Sequence, residues 1–137
     1  MEILRFSSDP ALKASFHSRR YDSAGWLESY VIELEALDFH ASIRVENPTF
    51  GQPPTQLFEE LAANWKGWEG VNTWLAIEGE LELKATSDRL GHVTLGVAMS
   101  PYAHAGQWSA QAAVAVEAGQ LVRLATEAKL FFGRRDA

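Results

Sequence analysis

Apolar and polar residues alternate with period two through much of this chain, which commits it to strands with one buried face. Phe39 to Val45 places Phe39, Ala41, Ile43 and Val45 on one side and His40, Ser42 and Arg44 on the other. Leu75 to Ala85 alternates most cleanly: Leu75, Ile77, Gly79, Leu81 and Leu83 oppose Ala76, Glu78, Glu80, Glu82 and Lys84. His92 to Met99 and Trp108 to Val116 repeat the pattern, with Val93, Leu95, Val97 and Met99 inward on the first and Trp108, Ala110, Ala112, Val114 and Val116 on the second. Leu27 to Leu34 follows it more loosely, Lys13 to Arg20 is mostly polar, and in Glu2 to Ser8 the phase of Ile3 conflicts with Leu4 and Phe6.

Two stretches change to helical period. After Asn47-Pro48 and Gly51-Gln52-Pro53-Pro54, Thr55 is placed to cap a helix to Lys66, with Leu57, Phe58, Leu61, Ala62 and Trp65 as its apolar stripe. A second begins near Gly119 and runs Leu121, Leu124, Ala125, Ala128, Phe131 and Phe132 along one side, ending at Gly133. One-face alternation with two amphipathic helices predicts an α+β fold: an antiparallel sheet of about six to seven strands with two helices on one face. At 137 residues the chain is expected to form a single domain, 1–137. A chain of this length buries about 68% of its unfolded surface and needs no staple to fold.

Composition removes whole chemistries. Absence of cysteine excludes disulfides, thiolate metal sites and cysteine nucleophiles. A net charge of -6, from 18 acids against 12 Lys and Arg, argues against nucleic acid, which demands clustered cations. No apolar run approaches a membrane span, and Met1-Glu2-Ile3-Leu4-Arg5-Phe6 lacks the pattern of a signal peptide, so a cytoplasmic protein is expected. No nucleophile elbow, phosphate loop, dinucleotide fingerprint or zinc-helix motif occurs. His17, His40, His92 and His104 stand isolated in sequence, although His40 and His92 occupy outward strand positions and can approach one another. No metal, cofactor or catalytic residue is therefore expected, and the chain is read as a non-enzyme.

The expected working surface is the outer side of the sheet. A hairpin turn at Ser87-Asp88-Arg89-Leu90-Gly91, centred near Arg89, sets Lys84 against Thr94, Glu82 against Gly96 and Glu80 against Ala98. Glu78, Glu80 and Glu82 then form a row, spaced by about 7 Å, beside Gly96, Ala98, Ala113 and Ala115, with His92 and Gln111 on the same side. Such a face suits a basic protein partner; its bland counterpart is a solvated strand face. An enzyme using these carboxylates with His92 would need a concave pocket around them. The alternative function is small-ligand binding at Trp65, Trp68 and Trp74, which lie within ten residues around Gly67 and Gly70. Their structural counterpart is a packed corner whose indole N–H groups bond to loop carbonyls.

Gly67-Trp68-Glu69-Gly70-Val71-Asn72-Thr73-Trp74, then Ile77-Glu78-Gly79-Glu80-Leu81, Gly91-His92-Val93 and Glu117-Ala118-Gly119 resemble an uncharacterised family of small bacterial proteins. That family runs G-W-x-G-x-x-x-W, then L-E-G-[DE]-L, and the likeness extends from about Leu34 onward. The order of strands and helices is also similar to that of immunity proteins which protect bacteria from polymorphic toxins. This second resemblance implies a toxin-neutralising binder whose partner is a basic toxin domain. It carries no catalytic residue onto this chain.

Overall fold

The structure, a computed structural model, describes residues 1–49, 51–101 and 106–135. Within them the chain runs β1 (Leu4–Arg5), β2 (Lys13–Tyr21), β3 (Leu27–Ala36), β4 (Phe39–Glu46), α1 (Thr55–Ala63), β5 (Asn72–Leu75), β6 (Leu81–Ser87), β7 (His92–Met99), β8 (Ala110–Glu117), a 3₁₀ turn (Ala118–Gln120) and α2 (Leu121–Phe131). The α+β class holds, but the single sheet of six to seven strands is corrected to two four-stranded sheets, ordered β1-β2-β3-β4 and β5-β6-β7-β8. Each is an antiparallel meander. Two physical causes separate them. Pro48, Pro53 and Pro54 lack the N–H a ladder needs, so the chain after β4 leaves the sheet and enters α1. The long alternation from Leu75 to Ala85 is also two strands and a turn rather than one strand.

That turn reverses which residues face inward. Leu75 pairs with Glu82 and Trp74 with Leu83, so β5 turns its even-numbered residues to the core and β6 its odd-numbered ones. The Ala76 N–H closes the loop on the Leu81 carbonyl at 2.9 Å, and Gly79 supplies the φ of +78° that the bend requires. Leu75 and Ile77, expected inside, are exposed, while Ala76 is buried; Trp108, also expected inside, precedes β8 and is exposed.

The inner faces of both sheets and the apolar stripes of both helices form one hydrophobic cluster. α1 and α2 pack against each other. The Pro54 ring precedes α1 at φ -75°, and Thr55 is its first residue rather than its cap. The helix stops at Ala63, three residues short of the expectation, because Asn64 turns its side-chain amide back onto the Glu60 carbonyl at 2.9 Å. Trp65 thus falls beyond the helix and is exposed.

Two seams join the sheets. The Ser8 N–H donates to the Ala115 carbonyl at 2.8 Å, and the Glu117 N–H donates to Ser8 Oγ at 2.9 Å. Elsewhere the Glu46 N–H, at the end of β4, donates to Glu80 Oε2 at 3.2 Å. The C-terminal segment also clasps the β2–β3 turn: the Arg135 N–H donates to the Gly25 carbonyl at 2.8 Å and Arg134 Nε donates to the Ala24 carbonyl at 2.9 Å.

Candidate functional site

The outer face of the second sheet is assembled from three cross-strand rows. Leu75, Glu82, Ala98 and Gln111 form the first, Thr73, Lys84, Gly96 and Ala113 the second, and Thr86, Thr94 and Ala115 the third. The register is displaced by two residues from expectation: Glu82 faces Ala98 and Lys84 faces Gly96. Asp88 sets this register by accepting the Leu90 and His92 N–H groups, which centres the turn one residue later than Arg89. The small residues do lie together, in a shallow groove beside Glu82 and Gln111. The acidic row does not survive. Glu78 is in the β5–β6 turn, Glu80 is buried, and Glu82 has the Lys84 ammonium 3.5 Å away. His92 sits three rows along from Glu82, about 20 Å by strand geometry, where Nδ1 bonds Asp88 at 2.7 Å. Its hydrogen bond to Asp88, that carboxylate's charge and the charge of Glu117 raise the His92 pKa.

Glu80 closes the β5–β6 turn just before β6 and is drawn into the interior against the end of β4. Only 2% of it is exposed. Oε2 accepts the Glu46 N–H, while buried Oε1 has no hydrogen-bond partner. Burial raises its pKa from the usual carboxylate value, against the opposing pull of the backbone hydrogen bonds. Burial also holds the Tyr30 phenol well above its ordinary range, and the Glu80 charge adds to that shift.

The surface acids collect elsewhere. A cleft of about 710 Å³ lies between the β2–β3 turn, the end of β4 and the β5–β6 turn, and Asp22, Trp26, Glu28, Glu46, Glu78 and Arg134 line it. Four carboxylates and one guanidinium leave this concavity strongly negative. Trp26 is 58% exposed, and the Arg134 guanidinium lies over its ring at 5.2 Å. Of the residues singled out from sequence, Glu78 alone reaches this cleft.

The tryptophan corner is built largely by its own hydrogen bonds. Trp68 Nε1 donates to the Ala85 carbonyl at 3.3 Å, and Trp74 Nε1 donates to the Gln52 carbonyl at 3.0 Å. Both pack against the core, whereas Trp65 is exposed with Lys66 Nζ 5.6 Å from its ring.

The expectation that the histidines stand alone fails on the first sheet. Its outer face brings His17 from β2, Glu33 from β3 and His40 from β4 together. His17 Nε2 lies 2.7 Å from Glu33 Oε1, and His40 Nε2 lies 2.5 Å from Glu33 Oε2. The hydrogen bond with His40, then that with His17, lowers the Glu33 pKa. His17 Nδ1 meets Ser18 Oγ at 2.8 Å, and Ser18 adopts φ 54° where the β2–β3 register shifts. His40 and His92 are on different sheets, His40 bonded to Glu33 of β3 and His92 to Asp88 of the β6–β7 turn. His104 lies outside the described residues. A sequence signal for the cluster existed in the two-residue loop Leu37-Asp38, which sets His40 opposite Glu35 and diagonal to Glu33.

Two antiparallel meanders closed over a helix pair thus define the chain as a small α+β domain. It belongs to a family of unknown function, DUF6228, whose family model matches residues 5–135. Neither a curated protein nor a solved structure matches it. Membership of an uncharacterised family agrees with the expectation of one. Among the described residues, no helix is long and apolar enough to cross a membrane.

Proposed function

We propose that this chain is a non-enzymatic protein-binding domain whose acidic cleft receives a basic segment of its partner, most concretely a bacterial toxin domain that it neutralises in the cytoplasm. The observation that carries this reading is the cleft itself, where Asp22, Glu28, Glu46 and Glu78 surround an exposed indole. Arg134 already lies on that indole, so the chain displays the kind of group the cleft accommodates: a guanidinium stacked on Trp26. Complementary charge speeds encounter and fixes register. The site has therefore moved from the sheet face expected from sequence to the junction of the two sheets. Glu82 and Gln111 remain beside the small-residue groove of the second sheet, which is flat and nearly charge-balanced. The Trp65–Trp74 corner gains less support as a ligand platform, because two of its three indoles donate their N–H groups within the chain.

The test is calorimetric titration of the protein with the products of its neighbouring genes, followed by the triple variant Glu28→Lys, Glu46→Lys, Glu78→Lys. Close interfacial charge pairs are each worth about 1.5 kcal/mol or more, so affinity should fall by at least ~100-fold. It should also weaken steeply with salt. A tight complex indifferent to both the reversal and the salt would place the interface elsewhere. A measured catalytic turnover of the partner would overturn the non-enzymatic reading.

A further inference from the structure

We propose that the outer face of the first sheet holds a divalent transition-metal ion, Zn²⁺ foremost, with Glu33, Glu35 and His40 as ligands and His17 positioning Glu33. Ligand atoms of Glu33, Glu35 and His40 lie within 4.8 Å of one another. Strand geometry brings them together without a loop: Glu33 and Glu35 are two apart on one face of β3, and His40 pairs directly with Glu35 from β4. A tetrahedral zinc site separates its oxygen and nitrogen donors by about 3.3 Å. The His40 Nε2–Glu33 Oε2 pair, 2.5 Å apart, opens to that spacing and Glu35 approaches it through rotamer changes, Glu35 and His40 both being exposed. One imidazole with two carboxylates is a donor set that suits zinc and its first-row neighbours better than calcium or magnesium, which take oxygen alone.

The surroundings resemble the outer shell that metal ligands require. His17 bonds the oxygen of Glu33 remote from His40, and Ser18 in turn engages the other ring nitrogen of His17. Such outer partners hold a ligating carboxylate in place and are worth about 10- to 100-fold in metal affinity. Nearby cations oppose the ion: Lys13 pairs with Glu35 from β2, and Arg5 lies in the row of Glu33 across Ser15. A groove of about 650 Å³ borders the cluster, with His17, Glu33 and Glu35 in its wall.

The experiment uses the full chain without an affinity tag. Zn²⁺ is titrated in competition with a chromophoric chelator, and Co²⁺ is added to read the coordination spectrum. Glu33→Gln and His40→Ala should each weaken binding by ~100-fold or more and abolish the cobalt spectrum. His17→Ala should weaken it by about 10- to 100-fold while preserving the spectrum's tetrahedral form. Lys13→Met should tighten it, and His92→Ala on the second sheet should leave it unchanged. Thermal melts of the metal-free variants establish that each is folded, and Glu35→Gln replaces Glu33→Gln if the latter is not. The proposal is overturned by a dissociation constant weaker than about 100 µM near neutral pH. Binding that survives Glu33→Gln and His40→Ala, or that disappears in His92→Ala, overturns it equally. A loss in His17→Ala as complete as in His40→Ala, spectrum included, overturns the positioning role of His17.

Discussion

The two sheets share a topology and differ in what fills each side. The first sheet turns Phe16 and Tyr30 inward to meet Phe6, Phe58, Phe131 and Phe132, with ring centroids 4.9–6.5 Å apart. The second turns in aliphatic side chains: Leu81, Leu83, Val93, Leu95, Val97 and Val114. Their outer faces differ more. On the first, side chains bond across strands, with Glu33 shared by two histidines and Arg44 reaching Ser29 Oγ and the Ser18 carbonyl. On the second, glycine and alanine leave a shallow groove with the Lys84–Glu82 pair at its side, and His92 bonds Asp88 in the turn at one end. Equal strand patterns therefore do not divide the chemistry equally. The first sheet and its turns hold the histidine cluster and most of the acidic cleft.

Core truncation should separate the halves most strongly. Phe16 contacts five aromatic rings, so Phe16→Ala should cost about 4 kcal/mol, against about 3 kcal/mol for Leu95→Ala. Urea denaturation measures both, and a larger loss for Leu95→Ala would reverse the ranking. Next come two hairpin glycines. Gly25 has φ +89°, and a Cβ there would meet the Arg135 carbonyl oxygen at 2.8 Å; Gly79 has φ +78° and open space around it. Gly25→Ala should cost about 2–3 kcal/mol and Gly79→Ala about 1 kcal/mol, the second reflecting the backbone conformation alone. Equal losses would mean that the C-terminal clasp yields without resistance.

An effect as small as that of Gly79→Ala concerns Glu80, where the halves touch. Its pKa is raised in the folded protein by burial, so the ionised form costs stability at neutral pH. That cost lessens as pH falls through the folded pKa and is gone below the unfolded value near about 4.3. Glu80→Gln should thus add about 1 kcal/mol at pH 7 and flatten the stability profile over that window. A destabilised Glu80→Gln protein would show that the carboxylate is compensated by charge rather than merely tolerated.

Much of this fold was legible as strands and helices, because burial of one face leaves a periodic trace. β4, β7 and α2 follow their patterns closely. What escaped the pattern was connectivity. Leu75 to Ala85 keeps apolar residues at odd positions through a turn that exchanges inside for outside, and period two cannot register that exchange. Gly79 was the mark of the turn. The same turn took Glu78 and Glu80 off the strand face and dispersed the acidic row, so the predicted site retained Glu82 and Gln111 and lost Glu78, Glu80 and His92. The histidine cluster escaped for a related reason. It joins three strands through cross-strand pairing, with Ser15 opposite Glu33 and His40 opposite Glu35, and spacing along the chain from His17 to Glu33 does not encode that pairing.

Each meander is local in sequence, while Ser8 reaches across more than a hundred residues to β8. Hairpins of neighbouring strands close within microseconds, but a contact of that span waits on the whole chain. Folding then has two clocks, a fast one within each sheet and a slow one at the seam. Amide exchange at Ser8 and Glu117 would time the second event, when two half-buried surfaces become a shared interior.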